Sequence, residues 1–133
     1  MTTDLYMLAY SGLLAMLIPV IAIAGRFQAD PKLKWGLGNR ETELAGQPAW
    51  AERTARAHRN LLENLPVFAI FVLTAQVAGL ANETTALGAT LFFYGRIAHV
   101  ITYIAGLVPW RTLAFAVAVT GELIILSEIL GGR

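Results

Sequence analysis

Glu52-Arg53-Thr54-Ala55-Arg56-Ala57-His58-Arg59-Asn60-Leu61-Leu62-Glu63-Asn64-Leu65-Pro66 is polar and charged, yet it runs without a break into Val67–Leu80, which is almost wholly apolar. On a helix, Glu52, Arg56, Arg59 and Glu63 recur at three or four residues and share one face, with Asn60 beside them. A soluble surface helix can carry such a ladder without consequence. Here the helix continues into a segment suited to lipid, so its charges lie at a membrane boundary, where an unpaired charge is expensive. Something has to satisfy them.

The rest of the chain supports a membrane reading. It has 133 residues, enough for one domain, and is 56% hydrophobic and only 14% charged. Its mean hydropathy is +0.59. Soluble domains carry nearer a quarter of charged residues. The net charge of +1 produces no overall field that would draw nucleic acid. There is no cysteine, hence no disulfide and no thiol of the protein's own. The two histidines, His58 and His99, have no ligand-type spacing, so no metal site is expected.

Four apolar stretches can be read in order. Leu5–Gly25 is uncharged and long enough to cross a bilayer, with Pro19 tolerated inside it. Ala22-Ile23-Ala24 resembles a signal-peptidase site, but Asp4 and the absence of Lys or Arg ahead of it favour a retained helix. Turn signals at Asp30-Pro31, Gly38-Asn39 and Gln47-Pro48 mark a polar connection. Pro48 can open a second helix that runs to Leu80. A third helix is expected from about Thr84 to Leu107, with Asn82 or Thr84 as its cap, and a fourth from about Arg111 to Leu130. The predicted class is an all-α bundle of four transmembrane helices, about 5–25, 49–80, 84–107 and 111–130, forming a single domain over 1–133.

Lysine and arginine placement predicts the topology. The first connection and its helical extension hold Arg26, Lys32, Lys34, Arg40, Arg53, Arg56 and Arg59, and the third connection holds Arg111. The N-terminal tail and the second connection hold none. Both termini are thus expected outside the cytoplasm. The basic rim serves orientation and headgroup contact, or an anionic ligand. Trp35, Trp50 and Trp110 fall near the same boundary, as an aromatic belt would.

Arg96, His99 and Tyr103 share one face of the third helix. An arginine at mid-membrane costs about 2.5 to 3.5 kcal/mol on insertion scales, so a carboxylate inside the bundle is its natural partner. Glu63 and Glu122 are the two candidates. Such a pair either fixes helix register or belongs to a polar site between helices. Arg56, Asn60 and Glu63 offer donors, an amide and an acceptor that match a ligand carrying both carboxylate and ammonium groups. An exposed charge ladder would display the same residues.

Glu-Arg-Thr-Ala-Arg-Ala-His-Arg-Asn-x-x-Glu-Asn-x-Pro at 52–66 resembles the hallmark segment of the membrane-associated proteins in eicosanoid and glutathione metabolism, the MAPEG family. Gly95-Arg96-Ile97-Ala98-His99-x-x-x-Tyr103 is similar to that family's third-helix motif, and Arg111 to a third family feature. The resemblance covers nearly the whole chain in order and spacing. It implies a homotrimer of four-helix subunits, surrounded by membrane lipids, that holds glutathione between adjacent subunits near the cytoplasmic side. It implies that Arg56, Asn60 and Glu63 contact the polar ends of glutathione, and that Arg26, Arg59, Arg96, His99 and Tyr103 line the cleft. Arg111 would sit next to the sulfur, with Thr112 adding a hydroxyl where related enzymes have serine. The implied activity is glutathione transfer to, or reduction of, a hydrophobic small molecule entering from the bilayer.

Two features depart from the pattern. Phe115 stands where prostaglandin-forming relatives carry tyrosine, and Trp35-Gly36-Leu37-Gly38-Asn39-Arg40 looks like small bacterial members, which points to a bacterial inner membrane. Beside the enzyme stand two other readings: a non-catalytic module that holds lipid or another anion in the same cleft, and a small four-helix multidrug transporter. The transporter is disfavoured because Leu5–Gly25 lacks the carboxylate that would couple protons.

Overall fold

A computed structural model describes residues 1–132 of the protein. It contains four helices, α1 (Thr3–Ala29), α2 (Ala49–Val77), α3 (Glu83–Ala105) and α4 (Val108–Gly131). Each is long and apolar enough to cross a membrane. Successive helices run antiparallel. α3 and α4 form the tightest pair, α2 packs against all three others, and α1 and α4 do not pack against each other.

The helix boundaries follow local chemistry. α1 extends past the uncharged stretch to place Arg26 in its last turn, where a cation suits the helix dipole. α2 stops at Val77, short of Leu80, because Gly79 adopts φ 70° and turns the chain. Asn82 caps α3 in a reciprocal box: its side chain accepts the Thr84 and Thr85 N–H groups, while the Thr85 hydroxyl accepts the Asn82 N–H. Gly106, at φ 77°, closes α3 in the left-handed conformation, and α4 begins at once at Val108 with Pro109 in its first turn. The α3–α4 connection is thus shorter than Val108–Arg111 implied. Arg111 lies inside the first turns of α4, directly beyond the end of α3.

Small residues set the α3–α4 approach. A Cβ on Gly88 would lie 2.6 Å from the Gly121 carbonyl oxygen, and one on Gly95 would lie 2.8 Å from the Ala118 nitrogen. Two apolar clusters fill the bundle. One joins Phe68, Val72, Ala89, Phe92, Ala118 and Ile125, with Phe68 stacked on Phe92 at 3.8 Å. The other, nearer the basic rim, joins Ala15, Ile18, Ala57, Leu61 and Val100. Apolar side chains such as Met16, Val20, Ile70 and Ile101 point outward and are exposed. That inside-out distribution suits lipid or a further protein surface in place of water.

The long first connection is ordered by one carboxylate. Asp30 accepts the backbone N–H groups of Lys34, Trp35 and Gly36, each at 2.9 Å. Trp35 donates its indole N–H to the Thr42 carbonyl, and the Arg26 and Arg40 guanidinium groups lie over its ring at 5.9 and 5.4 Å.

Candidate functional site

At the end of the bundle where α3 turns into α4, three helices border an open cavity of about 250 Å³, lined by Asn60, His99, Tyr103, Arg111, Thr112 and Phe115. Asn60 comes from α2, His99 and Tyr103 from adjacent turns of α3, and the last three from the start of α4. The tight Gly106 turn brings the two α3 rings opposite Arg111. The Arg111 guanidinium sits 4.4 Å from the Tyr103 ring centroid. His99 meets the Tyr103 ring edge-on at 5.4 Å and the Phe115 ring at 5.9 Å. A planar guanidinium on an aromatic face is held without losing its in-plane N–H donors.

Behind this wall lies Arg96, which is wholly buried. Its Nη2 donates to Asn60 Oδ1 at 2.8 Å, and its guanidinium lies 5.8 Å from the Phe115 ring. Because arginine has only donors, the carbonyl end of the Asn60 amide must face it. The Asn60 NH₂ group is therefore left for the cavity, where it makes no hydrogen bond within the described residues. Among the described residues no carboxylate lines the cavity, and two guanidinium groups flank it. Such a charge distribution favours an anion.

The other residues singled out in the sequence lie elsewhere on the subunit. Arg56 is exposed on α2 and pairs with Glu52 at 3.6 Å, the one ion pair among the described residues. Glu63 is exposed one turn beyond Asn60, on the outward side of α2. Arg26 and Arg59 line a different groove of about 350 Å³, between α1 and α2, together with His58. Arg56, Arg96 and Arg111 thus do not all share one cavity within a subunit: Arg96 and Arg111 come together, and Arg56 stands apart. The Thr112 hydroxyl donates to the Val108 carbonyl at 3.2 Å, so its proton is already engaged within the helix. Arg96 has no carboxylate within 4 Å; its hydrogen-bond partner is the Asn60 amide.

One contributor was not legible as more than a rim charge. Arg53 donates from Nε to the Ile104 carbonyl at 2.8 Å, which ties the start of α2 to the last turn of α3 and steadies the Gly106 turn. Its spacing, one turn before Ala57 and two before Asn60, puts it on the inner flank of α2, a signal available in the sequence.

This geometry joins the second-helix and third-helix motifs in one place, and the comparison with protein families decides what it belongs to. The model of the MAPEG family matches residues 5–130, nearly the whole chain. The chain belongs to the MAPEG family. No curated protein matches it. MAPEG proteins include glutathione transferases and related membrane proteins. With four membrane-length helices, this MAPEG member is an integral membrane protein.

Proposed function

We propose that this MAPEG protein is a membrane glutathione transferase or peroxidase that acts on hydrophobic electrophiles. The observation that carries the reading is the acid-free cavity in which the Asn60 amide, set by Arg96, and the Arg111 guanidinium, set on Tyr103, face the same space. Those donors fit a small peptide thiol with anionic ends. Bound there, glutathione supplies a nucleophilic sulfur. A free thiol of pKa about 8.5 is only a few per cent ionised at neutral pH, and lowering that by two units needs about 2.7 kcal/mol of thiolate stabilisation. Arg111, which lines the cavity and is held on the Tyr103 ring, is the group suited to provide it.

Each residue has a separate task in this reading. Asn60 offers its NH₂ to a carboxylate of the peptide, while Arg56 and Glu63, exposed on the same helix, take the more distant polar ends. Arg111 holds the sulfur ionised through the attack and Tyr103 holds Arg111. His99 and Phe115 close the wall and exclude water. In transfer, the carbon–sulfur bond forms as the leaving group departs with its electron pair. In peroxide reduction, the sulfur attacks oxygen as the O–O bond breaks. The alkoxide takes a proton and leaves as the alcohol, and a second glutathione converts the sulfenic acid to the disulfide and water. Arg26 and Arg59 face the α1–α2 groove, so their participation is through a neighbouring subunit whose groove closes over this cavity. A homotrimer supplies that arrangement, and the exposed apolar faces are suited to it.

Detergent-purified protein is expected to bind glutathione saturably in calorimetry; lack of binding would end this reading. With an aryl-halide acceptor, Arg111→Ala is expected to lower turnover about a hundredfold while glutathione binding changes much less, the signature of a lost transition-state donor. The engaged Thr112 hydroxyl favours one competitor, a module that holds a lipid anion without turnover. Co-purifying anionic lipid and no thiol-dependent turnover would establish it.

A further inference from the structure

The first connection borders a recess of about 160 Å³ that lies apart from the α3–α4 cavity. It runs between the last turns of α1 and the loop that follows, and its apolar floor is made by Ile23, Phe27, Leu33 and Leu37. Its depth follows from length. The uncharged stretch Leu5–Gly25 spans about 30 Å as a helix, the thickness of the hydrocarbon core. Arg26 therefore stands where acyl chains give way to headgroups. Ile23 and Phe27 are half-exposed just below it, and Leu37, 84% exposed, borders the opening from the loop.

The cations around this floor have donors to spare. Arg26 Nε is buried and has no hydrogen-bond partner. Arg40 commits Nε and Nη2 to one acceptor, the Gly36 carbonyl, at 3.3 and 3.0 Å. Both guanidinium groups lie against the Trp35 ring, and among the described residues neither has a carboxylate within 4 Å. Asp30, the acid on the recess wall, has both oxygens committed to the backbone N–H groups of Lys34, Trp35 and Gly36. The backbone is bent to build the wall: Leu33 at φ 53° and Arg40 at φ 56° hold the left-handed conformation, and both border the recess. Such strain persists where the surroundings enforce it, and it collects at functional sites.

We propose that this recess binds one anionic phospholipid of the leaflet on the basic side. Arg26 and Arg40, beside Trp35, meet the phosphodiester headgroup, and an acyl chain lies along Ile23, Phe27 and Leu37. A soluble anion would leave the apolar floor bare, and an uncharged lipid would leave the guanidinium donors unmet. The site is independent of the glutathione reading. Arg26 also borders the α1–α2 groove, so the test uses residues outside the proposed thiol site.

In Trp50→Phe/Trp110→Phe protein, Trp35 is the one indole left. Reconstituted into phosphatidylcholine vesicles with a minor share of phosphatidylglycerol, it reports contact through quenching by lipid with brominated acyl chains. Brominated phosphatidylglycerol is expected to quench Trp35 several-fold more per mole than brominated phosphatidylcholine. Arg40→Gln is expected to lower that preference about fivefold, the worth of one cation at a lipid surface. Lys32→Gln removes the same charge from the same loop without bordering the recess, and is expected to change it much less. Leu37→Ser keeps the charges of the loop, and is expected to weaken quenching by removing the apolar contact. Native mass spectrometry of protein with all three tryptophans gives a second reading: one phosphatidylglycerol retained per subunit, lost in Arg40→Gln and kept in Lys32→Gln. Equal quenching by the two lipids would overturn the site. Equal losses in Arg40→Gln and Lys32→Gln would show a diffuse attraction to the basic rim and would overturn it as well.

Discussion

Asn60 carries two duties that a single substitution can separate. It accepts the one hydrogen bond of a fully buried arginine and presents its NH₂ to the cavity. Asn60→Leu would leave the Arg96 guanidinium without any hydrogen bond, which costs about 1 to 3 kcal/mol for an abandoned buried donor. Its thermal midpoint in detergent is expected to drop. Asn60→Asp places a carboxylate opposite Arg96, so the bond becomes charge-assisted and stability is held or raised. The same change removes the NH₂ donor and sets a negative charge in the proposed glutathione site, so glutathione binding is expected to vanish in calorimetry. A variant that is stable and blind to ligand would show that the amide is there for recognition. Retained binding would show that the cavity reads something other than an anion.

The α3–α4 hairpin determines where Arg111 stands, and glycine determines the hairpin. Gly121 packs on the backbone of Gly88 and on Phe92, so a side chain there must push the helices apart. Gly121→Val is expected to cost about 1 to 3 kcal/mol in overpacking and to lower glutathione-dependent turnover, because the shift is passed along α4 to Arg111. Gly12→Ala is the control: a Cβ there meets open space, and unfolding is expected to be unchanged or slightly improved. At the other end of α3, Asn82→Ala removes the acceptor for the Thr84 and Thr85 N–H groups while its own N–H still meets the Thr85 hydroxyl, and it is expected to cost about 1 kcal/mol in thermal unfolding, with activity little changed. The four apolar stretches and the Asn82 cap were readable because they rest on local patterns. The start of α4 was not: Pro109 signals a break as readily as a first turn, and the packing of α4 back onto α3 makes it a first turn.

Across the bundle, the basic residues are sharply divided, although Asp30, Glu41, Glu43, Glu52 and Glu63 share their end. Arg26, Arg53, Arg56, Arg59 and Arg111 sit at the end where α1 passes to α2 and α3 to α4, while Asp4, Glu83 and Glu128 sit at the opposite end. Lys and Arg excess marks the cytoplasmic side. The absence of cysteine makes the orientation directly measurable. Cysteine introduced at Asn39 is expected to be labelled by an impermeant maleimide only after the membrane is opened, and cysteine at Thr2 in intact cells. The reverse pattern would place the cavity on the outer side, away from cytoplasmic glutathione.

An apolar stretch of bilayer length, a helix cap and a run of basic residues act through neighbours close in sequence, so class, helix number, charge polarity and family motifs were all written in the chain. Which motif residues meet was not, because that depends on helix rotation and register. Asn60 and Glu63 lie one turn apart on α2, yet one lines the cavity and the other faces outward. Arg96 was expected to find a carboxylate and found an amide, because the packing of α2 on α3 turned Asn60 inward to meet its guanidinium beside the Phe115 ring. Periodicity specifies a face within one helix; only packing decides what that face meets.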